Sequence, residues 1–311
     1  MSPSTPTPGT AHSSSPWAIA IASGKGGVGK THLTVSLAIL FAQRGLRVLV
    51  IDADMGLANA DLLLDVEPAR GLSDVARGRC SIEEALVESP HGVSLLSGIA
   101  DSSGELTLTS SDKLAILGAL ASLSDRFDLV LIDTAGGIDD TSLFFCQGAD
   151  EVLAVTTPEP TSLADTYALT RALTRRVHQR RVGLVVNQCM GERVARAVHE
   201  RLAPLAQRFL DTPLPLMGHI PMDPAVCAAV MRRMPVVLAA QKCPANDGLQ
   251  ALADRLGAAR HCGSPRPGLS FFLKSERDPG GIVDPYSQQA HIGAGARARL
   301  SDTGPDLTRT T

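Results

Sequence analysis

Aromatic residues are scarce in this 311-residue chain: they make up 3% of it and include one tryptophan. Such a composition suits an aliphatic α/β sheet better than an aromatic-rich β sandwich. No stretch approaches the roughly 18 apolar residues of a membrane-spanning helix. Residues 1–16 also lack the basic start and the apolar run of a signal peptide. We therefore expect a cytoplasmic protein, with any membrane contact peripheral at the inner face of the cell membrane.

Paired cysteines and a strong charge are missing as well. The 6 cysteines are widely spaced and form no CxxC pair, which argues against a zinc site or a shared iron–sulfur site. The net charge of −3 gives no whole-molecule attraction to nucleic acid, so direct DNA binding is not expected. For the arginine-rich run 171–181, a solvated helix face and a docking surface for DNA or a partner protein both stay open.

The composition divides the chain into three parts. Residues 1–16 are rich in Ser, Thr and Pro and predict a disordered arm, while 261–311 predict a mostly disordered tail. Residues 17–260 form the predicted domain, where Val/Ile/Leu-rich runs alternate with helical patterns. The runs lie at 17–23, 46–54, 92–98, 127–135, 151–158, 182–188 and 216–221. Unbroken apolar runs are typical of parallel strands buried on both faces. The alternation predicts an α/β fold, a doubly wound, mostly parallel sheet of about seven strands with helices on both faces.

A phosphate-binding loop lies between the first run and a helical segment. Gly24, four further residues and then Gly29-Lys30-Thr31 fit the motif G-x4-GK[ST] in its required strand–loop–helix context. Loop N–H groups and the helix N-terminus face phosphate oxygens, Lys30 reaches the β- and γ-phosphates, and the Thr31 hydroxyl ligates Mg²⁺. The predicted nucleotide-binding residues of the loop are Gly24, Lys25, Gly26, Gly27, Val28, Gly29, Lys30, Thr31 and His32.

Carboxylates end two of the predicted strands. Asp133 ends the run 127–135, at the position where P-loop enzymes hold an Mg²⁺-binding aspartate. Asp52 and Asp54 end the second run, two residues apart and therefore on one face of the strand. Paired carboxylates near Mg²⁺ and a terminal phosphate suit the activation of an in-line water. The predicted metal ligands are Thr31, Asp52 and Asp133.

The loop "SGKGGVGKT" and the later "IDADMGLANADLLL" resemble the deviant Walker A ATPases related to the septum-site protein MinD and the partition protein ParA. The signature of that family is a second loop lysine, here Lys25. The resemblance implies a P-loop NTPase that binds ATP and Mg²⁺ and forms an ATP-bound dimer, in which Lys25 reaches the partner's nucleotide. It implies that Asp54 positions the attacking water and Asp52 assists, so that the catalytic set is Lys25, Lys30, Asp52 and Asp54. Asn187 would read the adenine edge; a strand-end cap is the other interpretation.

A narrower resemblance comes from "VTTPEPTSLADTYALTRAL", which is similar to the flagellar-number ATPases of the FlhG (FleN) group. The Pro-Glu-Pro-Thr-Ser segment 158–162 discriminates best, because MinD and ParA lack it. The implied function is an ATP-dependent dimerisation switch that hydrolyses ATP slowly and regulates flagellar number or placement. Its implied partners are a second copy of itself and a flagellar regulator, an FlhF-type GTPase or a switch-ring protein. A MinD/ParA-like division or partition ATPase is the alternative.

The chain departs from the FlhG pattern at both ends. The arm 1–16 contains no Asp-Gln-Ala-x-x-Leu-Arg helix, the element that stimulates FlhF in that group, so stimulation by this route is in doubt. The group also ends in a short amphipathic membrane-binding helix, for which 268–277 is the candidate here. Pro267 and Pro279 limit it to about three turns. One such segment would bind a membrane surface weakly, and two in a dimer would bind by avidity.

Overall fold

The computed structural model describes residues 16–54, 59–98, 108–179 and 181–262. Nearly all of the predicted arm 1–16 and the tail beyond Cys262, with its segment 268–277, lie outside the described residues. The elements in chain order are β1 (Trp17–Ser23), α1 (Lys30–Gln43), β2 (Val48–Asp52), α2 (Ala60–Leu64), α3 (Leu72–Ala76), α4 (Ile82–Ala85), β3 (Leu86–Glu88), β4 (Val93–Leu96), α5 (Ser110–Ala121), β5 (Leu129–Gly136), α6 (Asp140–Gly148), β6 (Glu151–Thr156), α7 (Pro160–Arg176), β7 (Val182–Cys189), α8 (Glu192–Leu210), β8 (Leu216–Pro221), α9 (Pro224–Met231), α10 (Val236–Ala239) and α11 (Pro244–Cys262).

The strands form one 8-stranded sheet in the order β3-β4-β2-β5-β1-β6-β7-β8. Every neighbouring pair is parallel except β3 and β4. The predicted doubly wound, mostly parallel fold is therefore confirmed, and each of the seven predicted runs overlaps a strand. The additional strand is β3, which has only three residues, is incompletely buried and carries no apolar run. The hydrophobic pattern gives no signal for such a strand.

The central strand β1 shows why the predicted runs are apolar throughout. Ala18, Ala20 and Ala22 belong to the core on one face of the sheet, under α6 and α7. Ile19 and Ile21 belong to the core on the other face, under α1. Successive side chains of a strand point to opposite faces, so a strand covered on both sides has no position for a solvated residue. The alternation of alanine with isoleucine also gives α6 and α7 a closer approach to β1 than large residues would allow.

Parallel strands place their carboxyl ends at one edge of the sheet. The side chains that end up there include Ser23 of β1, Asp52 of β2, Asp133 of β5 and Asn187 of β7. Asp52 and Asp133 are direct register partners across the β2–β5 pair. Four chain segments that are far apart in sequence therefore meet where ligands of open α/β sheets bind.

Within the described part of the chain, no helix combines the length and the apolar character that crossing a membrane would need.

Phe145 and Phe209 offer a matched test of the core. Phe145 of α6 is fully buried, whereas Phe209 of α8 is 53% exposed. Phe145→Ala should lower the free energy of unfolding by about 3–5 kcal/mol, because it removes a buried ring and leaves a cavity. Phe209→Ala should change it by less than about 1 kcal/mol. Urea titrations followed by the fluorescence of the buried Trp17 measure both values. Equal losses for the two variants would contradict this arrangement of the core.

Candidate nucleotide site

The loop between β1 and α1 has the backbone that the phosphate-loop motif predicts. Gly29 caps the N-terminus of α1 with φ +89°, a left-handed conformation that glycine adopts without a steric penalty. Val28 is fully buried beneath the loop. The first turns of α1 thus begin directly at the loop, and their free N–H groups face the space where a phosphate would lie.

Ser23 connects the two lysines of the loop. Its hydroxyl donates to the Lys25 carbonyl oxygen at 2.6 Å and accepts a hydrogen bond from Lys30 Nζ at 2.8 Å. Lys30 is buried, and burial lowers its pKa, while the negative charges of Asp133 and Asp54 oppose that shift. The structure therefore brings Lys30 together with two of the predicted carboxylates.

Asp133 is buried beside the first turn of α1. Burial raises its pKa, and the charge of Asp52 raises it further, while a hydrogen bond from the Thr31 side chain lowers it. The Thr34 hydroxyl lies 3.4 Å from Asp133 Oδ1. The predicted proximity of Thr31, Asp52 and Asp133 is thus present in the fold.

Asp52 has a contact set that the sequence did not predict. Its carboxylate accepts hydrogen bonds from the backbone N–H groups of Asp54, Asn59 and Ala60, each at 3.1 Å. Burial raises the pKa of Asp52, and these three bonds oppose the rise. Asp52 therefore forms hydrogen bonds with residues on both sides of the segment 55–58, which lies outside the described residues. Its predicted metal and catalytic roles stay predictions, whereas its structural role is visible.

Asp54 lies two residues beyond Asp52 and is partly exposed. Its charge acts on Lys30 and on Asp133, so it is close to both. A carboxylate near the buried lysine, with access to solvent, has the position that the prediction of a water-activating group requires.

The oxygen donors at this edge suit Mg²⁺. Thr31 supplies a hydroxyl, and Asp52 and Asp133 supply carboxylates on neighbouring strands. Across the described ranges, no group of three or more His, Cys, Asp and Glu side chains could hold a metal ion by itself. Mg²⁺ is usually bound by one or two carboxylates together with waters and substrate phosphates, so this donor set fits that mode of binding.

The end of β5 lies directly against the phosphate loop, since a Cβ on Gly136 would lie 2.6 Å from the Gly26 nitrogen. Gly136 is the register partner of Ser23, and the Gly137 N–H donates to the Ser23 carbonyl oxygen at 2.9 Å. This is the position expected of a loop that approaches a terminal phosphate.

Asn187, at the end of β7, supports the phosphate loop from behind. Its Nδ2 donates to the Val28 carbonyl oxygen at 2.7 Å, and its Oδ1 accepts the Gln188 N–H at 2.9 Å. The structure thus places Asn187 beside the loop but shows its amide bonded to the protein. The predicted reading of the adenine edge stays a prediction.

A cavity of about 520 Å³ adjoins Asn187 and the first turn of α1. Its wall is mostly apolar and is formed by Gly29, His32, Leu33, Asn187, Gln188, Ile220, Pro221, Met222, Asp223, Val226, Cys227, Val230, Met231 and Leu249. Apolar clefts with a few polar groups are typical of ligand sites. The sequence motifs do not predict the side of this cavity that β8 and α9 form. The available signal was the strand end "HIPMD", one strand along from Asn187.

His32 joins α1 to the segment that starts α10. Its Nε2 accepts the Val236 N–H at 3.2 Å, and burial lowers the pKa of His32 to about 4. His32 also lines the cavity, and its predicted role in nucleotide binding stays a prediction. Lys25, by contrast, lies at the surface, where its Nζ is paired with Glu159 Oε2.

Comparison with known proteins shows which family has this arrangement of loop and strands. Residues 19–236 match the family model of the CobQ/CobB/MinD/ParA nucleotide binding domain. The chain belongs to this family. It is 36% identical to the antiactivator FleN of Pseudomonas aeruginosa over 256 residues. That alignment covers 82% of this chain and 91% of FleN. It is 33% identical to the flagellum site-determining protein YlxH of Helicobacter pylori over 195 residues. That alignment covers 61% of this chain and 64% of YlxH.

Solved structures agree with the family assignment. A chain of the MinC:MinD cell division protein complex of Aquifex aeolicus superposes with a TM-score of 0.64 and 30% identity, covering 78% of this chain and 96% of that one. The predicted MinD/ParA-type fold and the resemblance to FleN are both confirmed. The chain is an ATPase of this family. The roles of individual residues of its site stay predictions.

His32 should make the stability of this ATPase depend on pH. Because its pKa falls from 6.5 in the unfolded chain to about 4 in the fold, the unfolded chain binds more protons in this range. The stabilisation is complete above about pH 6.5 and is lost as the pH falls towards 4, by about 3 kcal/mol at most. His32→Gln keeps a hydrogen-bond acceptor but does not titrate, so its free energy of unfolding should fall less between pH 7 and pH 4.5.

The comparison isolates His32, because Asp52 and Asp133 titrate in both proteins. His178→Gln, which changes an exposed histidine, is the control. Urea titrations at a series of pH values give the slopes. If His32→Gln and the unmodified protein lose the same stability on acidification, the buried neutral state of His32 is wrong.

Proposed function

We propose that this ATPase is an ATP-dependent dimerisation switch that hydrolyses ATP slowly and regulates flagellar number or placement. The proposed dimerisation step is supported by the different surroundings of the two loop lysines. Lys30 is buried and bonded inside its own site, whereas the side chain of Lys25 is 34% exposed and directed away from that site to Glu159. A loop lysine that does not serve its own site is available to serve another.

Within one subunit, the described groups divide the work of binding and hydrolysis. The loop N–H groups and Lys30 bind the phosphates. Thr31, Asp52 and Asp133 would hold Mg²⁺, which when bound neutralises phosphate charge. Asp54, close to Lys30 and open to solvent, orients the attacking water and accepts its proton. The attacking water has to reach the group that activates it, and Asp54 is more exposed than Asp52 and Asp133.

We place the adenine base of ATP in the cavity beside the phosphate loop. Gly29 and His32 link this cavity to the phosphate loop, and its wall is apolar enough to cover a purine ring. Asn187 stands at its edge. Its Oδ1 already accepts the Gln188 N–H and has a second lone pair, which can accept a hydrogen bond from the adenine amino group.

Hydrolysis supplies the timing of the switch. Two ATP-bound subunits meet face to face, and Lys25 of each contacts the nucleotide of the other. Loss of the terminal phosphate removes the anion that Lys25 binds, so the dimer reopens. Binding energy is thereby converted into a difference between two states with different surfaces.

The proposed role in flagellar regulation is supported by two relatives of this chain and by the segment 158–162. FleN is an antiactivator and YlxH is a flagellum site-determining protein, and both align with this chain. We infer that the dimer is read by a flagellar regulator; an FlhF-type GTPase and a switch-ring protein are the other candidates. The similarity to MinD of the MinC:MinD complex keeps one alternative, a division or partition ATPase.

Lys25→Ala should keep ATP binding within about threefold but abolish ATP-dependent dimerisation, because the charge lost acts across the interface. Sedimentation velocity with a non-hydrolysable ATP analogue and Mg²⁺ measures the dimer, and a fluorescent ATP analogue measures binding. Lys242→Ala removes another exposed lysine and is the matched control. A Lys25→Ala protein that still dimerises would refute the trans role of Lys25.

The process is tested in the cell. Deletion of the gene should change the number or the position of flagella, counted by electron microscopy, and the unmodified gene should restore the normal count. Asp54→Ala should not restore it, because a dimer that cannot hydrolyse ATP cannot reopen. Normal flagella together with misplaced septa in the deletion strain would instead favour the division ATPase.

A further inference from the structure

The side chain of Lys25 is engaged within its own chain. Its Nζ lies 2.5 Å from Oε2 of Glu159, a residue 134 positions later. Glu159 belongs to the Pro-Glu-Pro-Thr-Ser segment that joins β6 to α7. The residue that distinguishes the loop and the segment that distinguishes the flagellar relatives are therefore in direct contact.

Helix capping does not explain a glutamate at position 159. Glu159 is the N-cap residue of α7, where Ser, Thr, Asp and Asn are preferred. In the described structure its side chain makes no capping hydrogen bond to α7. Pro160 follows at the first helical position and needs no N–H acceptor. The carboxylate is consequently directed outward, to Lys25.

The backbone on both sides of the ion pair is held firmly. Ser162, buried in the first turn of α7, accepts the Thr157 N–H at 3.0 Å and lies 3.0 Å from the Thr156 hydroxyl. Gly24 packs so closely on α7 that a Cβ there would lie 2.7 Å from Asp165 Cβ. Glu159 and Lys25 therefore lie on two elements that are packed directly against each other.

We propose that Glu159 is a positioning residue that keeps Lys25 in its own subunit and releases it when the ATP-bound dimer forms. This inference rests on the proposed function, since it assumes that Lys25 acts on the partner's nucleotide. In the proposed dimer, the Lys25 side chain leaves Glu159 in order to extend to the nucleotide of the second subunit. Formation of a symmetric dimer therefore breaks this ion pair twice, and Glu159 sets the threshold at which ATP drives dimerisation.

The exposure of the Lys25–Glu159 ion pair limits how much the pair can change the dimer dissociation constant. The side chains are 34% and 61% exposed, so each pair is worth at most about a fivefold factor in an equilibrium constant. Two pairs per dimer give at most about 25-fold in the dimer dissociation constant. A threshold of this size delays dimerisation without preventing it.

Glu159→Gln tests the inference, because it removes the charge and keeps the size of the side chain. The dimer dissociation constant, measured by sedimentation with a non-hydrolysable ATP analogue and Mg²⁺, should fall by about 2- to 25-fold, while the affinity of the monomer for nucleotide stays unchanged. The difference should shrink between 50 mM and 500 mM salt, since exposed pairs are screened. Glu200→Gln removes one exposed negative charge on α8 and is the charge-matched control.

A second measurement needs no nucleotide. Reductive ¹³C-dimethylation of the lysines gives one NMR signal for each side chain, and Lys25→Arg identifies that of Lys25. Glu159→Gln should shift this signal, and Glu200→Gln should not. An unmoved Lys25 signal would show that the pair is absent in solution and would overturn the inference.

The remaining outcomes separate the two proposals. If the unmodified protein stays monomeric with the ATP analogue, the proposed function fails and the inference fails with it. If the unmodified protein dimerises but Glu159→Gln dimerises equally well, only the inference fails. Weaker dimerisation of Glu159→Gln would also overturn it, because Glu159 would then contribute to the dimer interface itself.

Discussion

The position of β5 between β1 and β2 is the constraint on which the nucleotide site depends. Its register pairs Asp133 with Ile21 of β1 and with Asp52 of β2. The loop leaves β1 at the same edge, so Lys30 comes close to Asp133. A shift of β5 by one residue would turn Asp133 to the opposite face of the sheet. Since both faces of these strands are buried, the packing of the core enforces the register that the chemistry needs.

This arrangement buries three ionisable side chains in a small volume, which is unfavourable unless each has partners. Lys30 bonds to Ser23, Asp52 accepts three backbone N–H groups, and Asp133 is bonded by Thr31. The partners are fixed parts of β1, α1 and the β2–α2 connection. The pKa of Asp133 is nevertheless raised, first by burial and then by repulsion from the charge of Asp52. A bound cation would relieve that repulsion, which supports the proposal that this site binds Mg²⁺ beside a phosphate.

Features that depend on local pattern could be predicted from the sequence, and features that depend on distant contacts could not. The apolar runs gave the strands, and Gly24 to Thr31 gave the loop, because each is set by neighbouring residues. The three-residue strand β3 has no such pattern. The contacts of His32 with Val236 and of Lys25 with Glu159 join residues 204 and 134 positions apart. The wall that β8 and α9 add to the cavity likewise exists only once β7 and β8 are paired.

The different surroundings of Lys25 and Lys30 suit different tasks. A buried ion pair is costly to break, because each separated charge remains in a poorly solvated place. An exposed pair is broken at little cost, because water takes the place of the lost partner. Lys30, which is buried, therefore suits a contact that every bound nucleotide makes in the same way. Lys25, which is 34% exposed, suits a contact that has to be made and broken in each cycle. In the proposed switch, the weakness of the Lys25–Glu159 pair is thus the property that lets it break and form again.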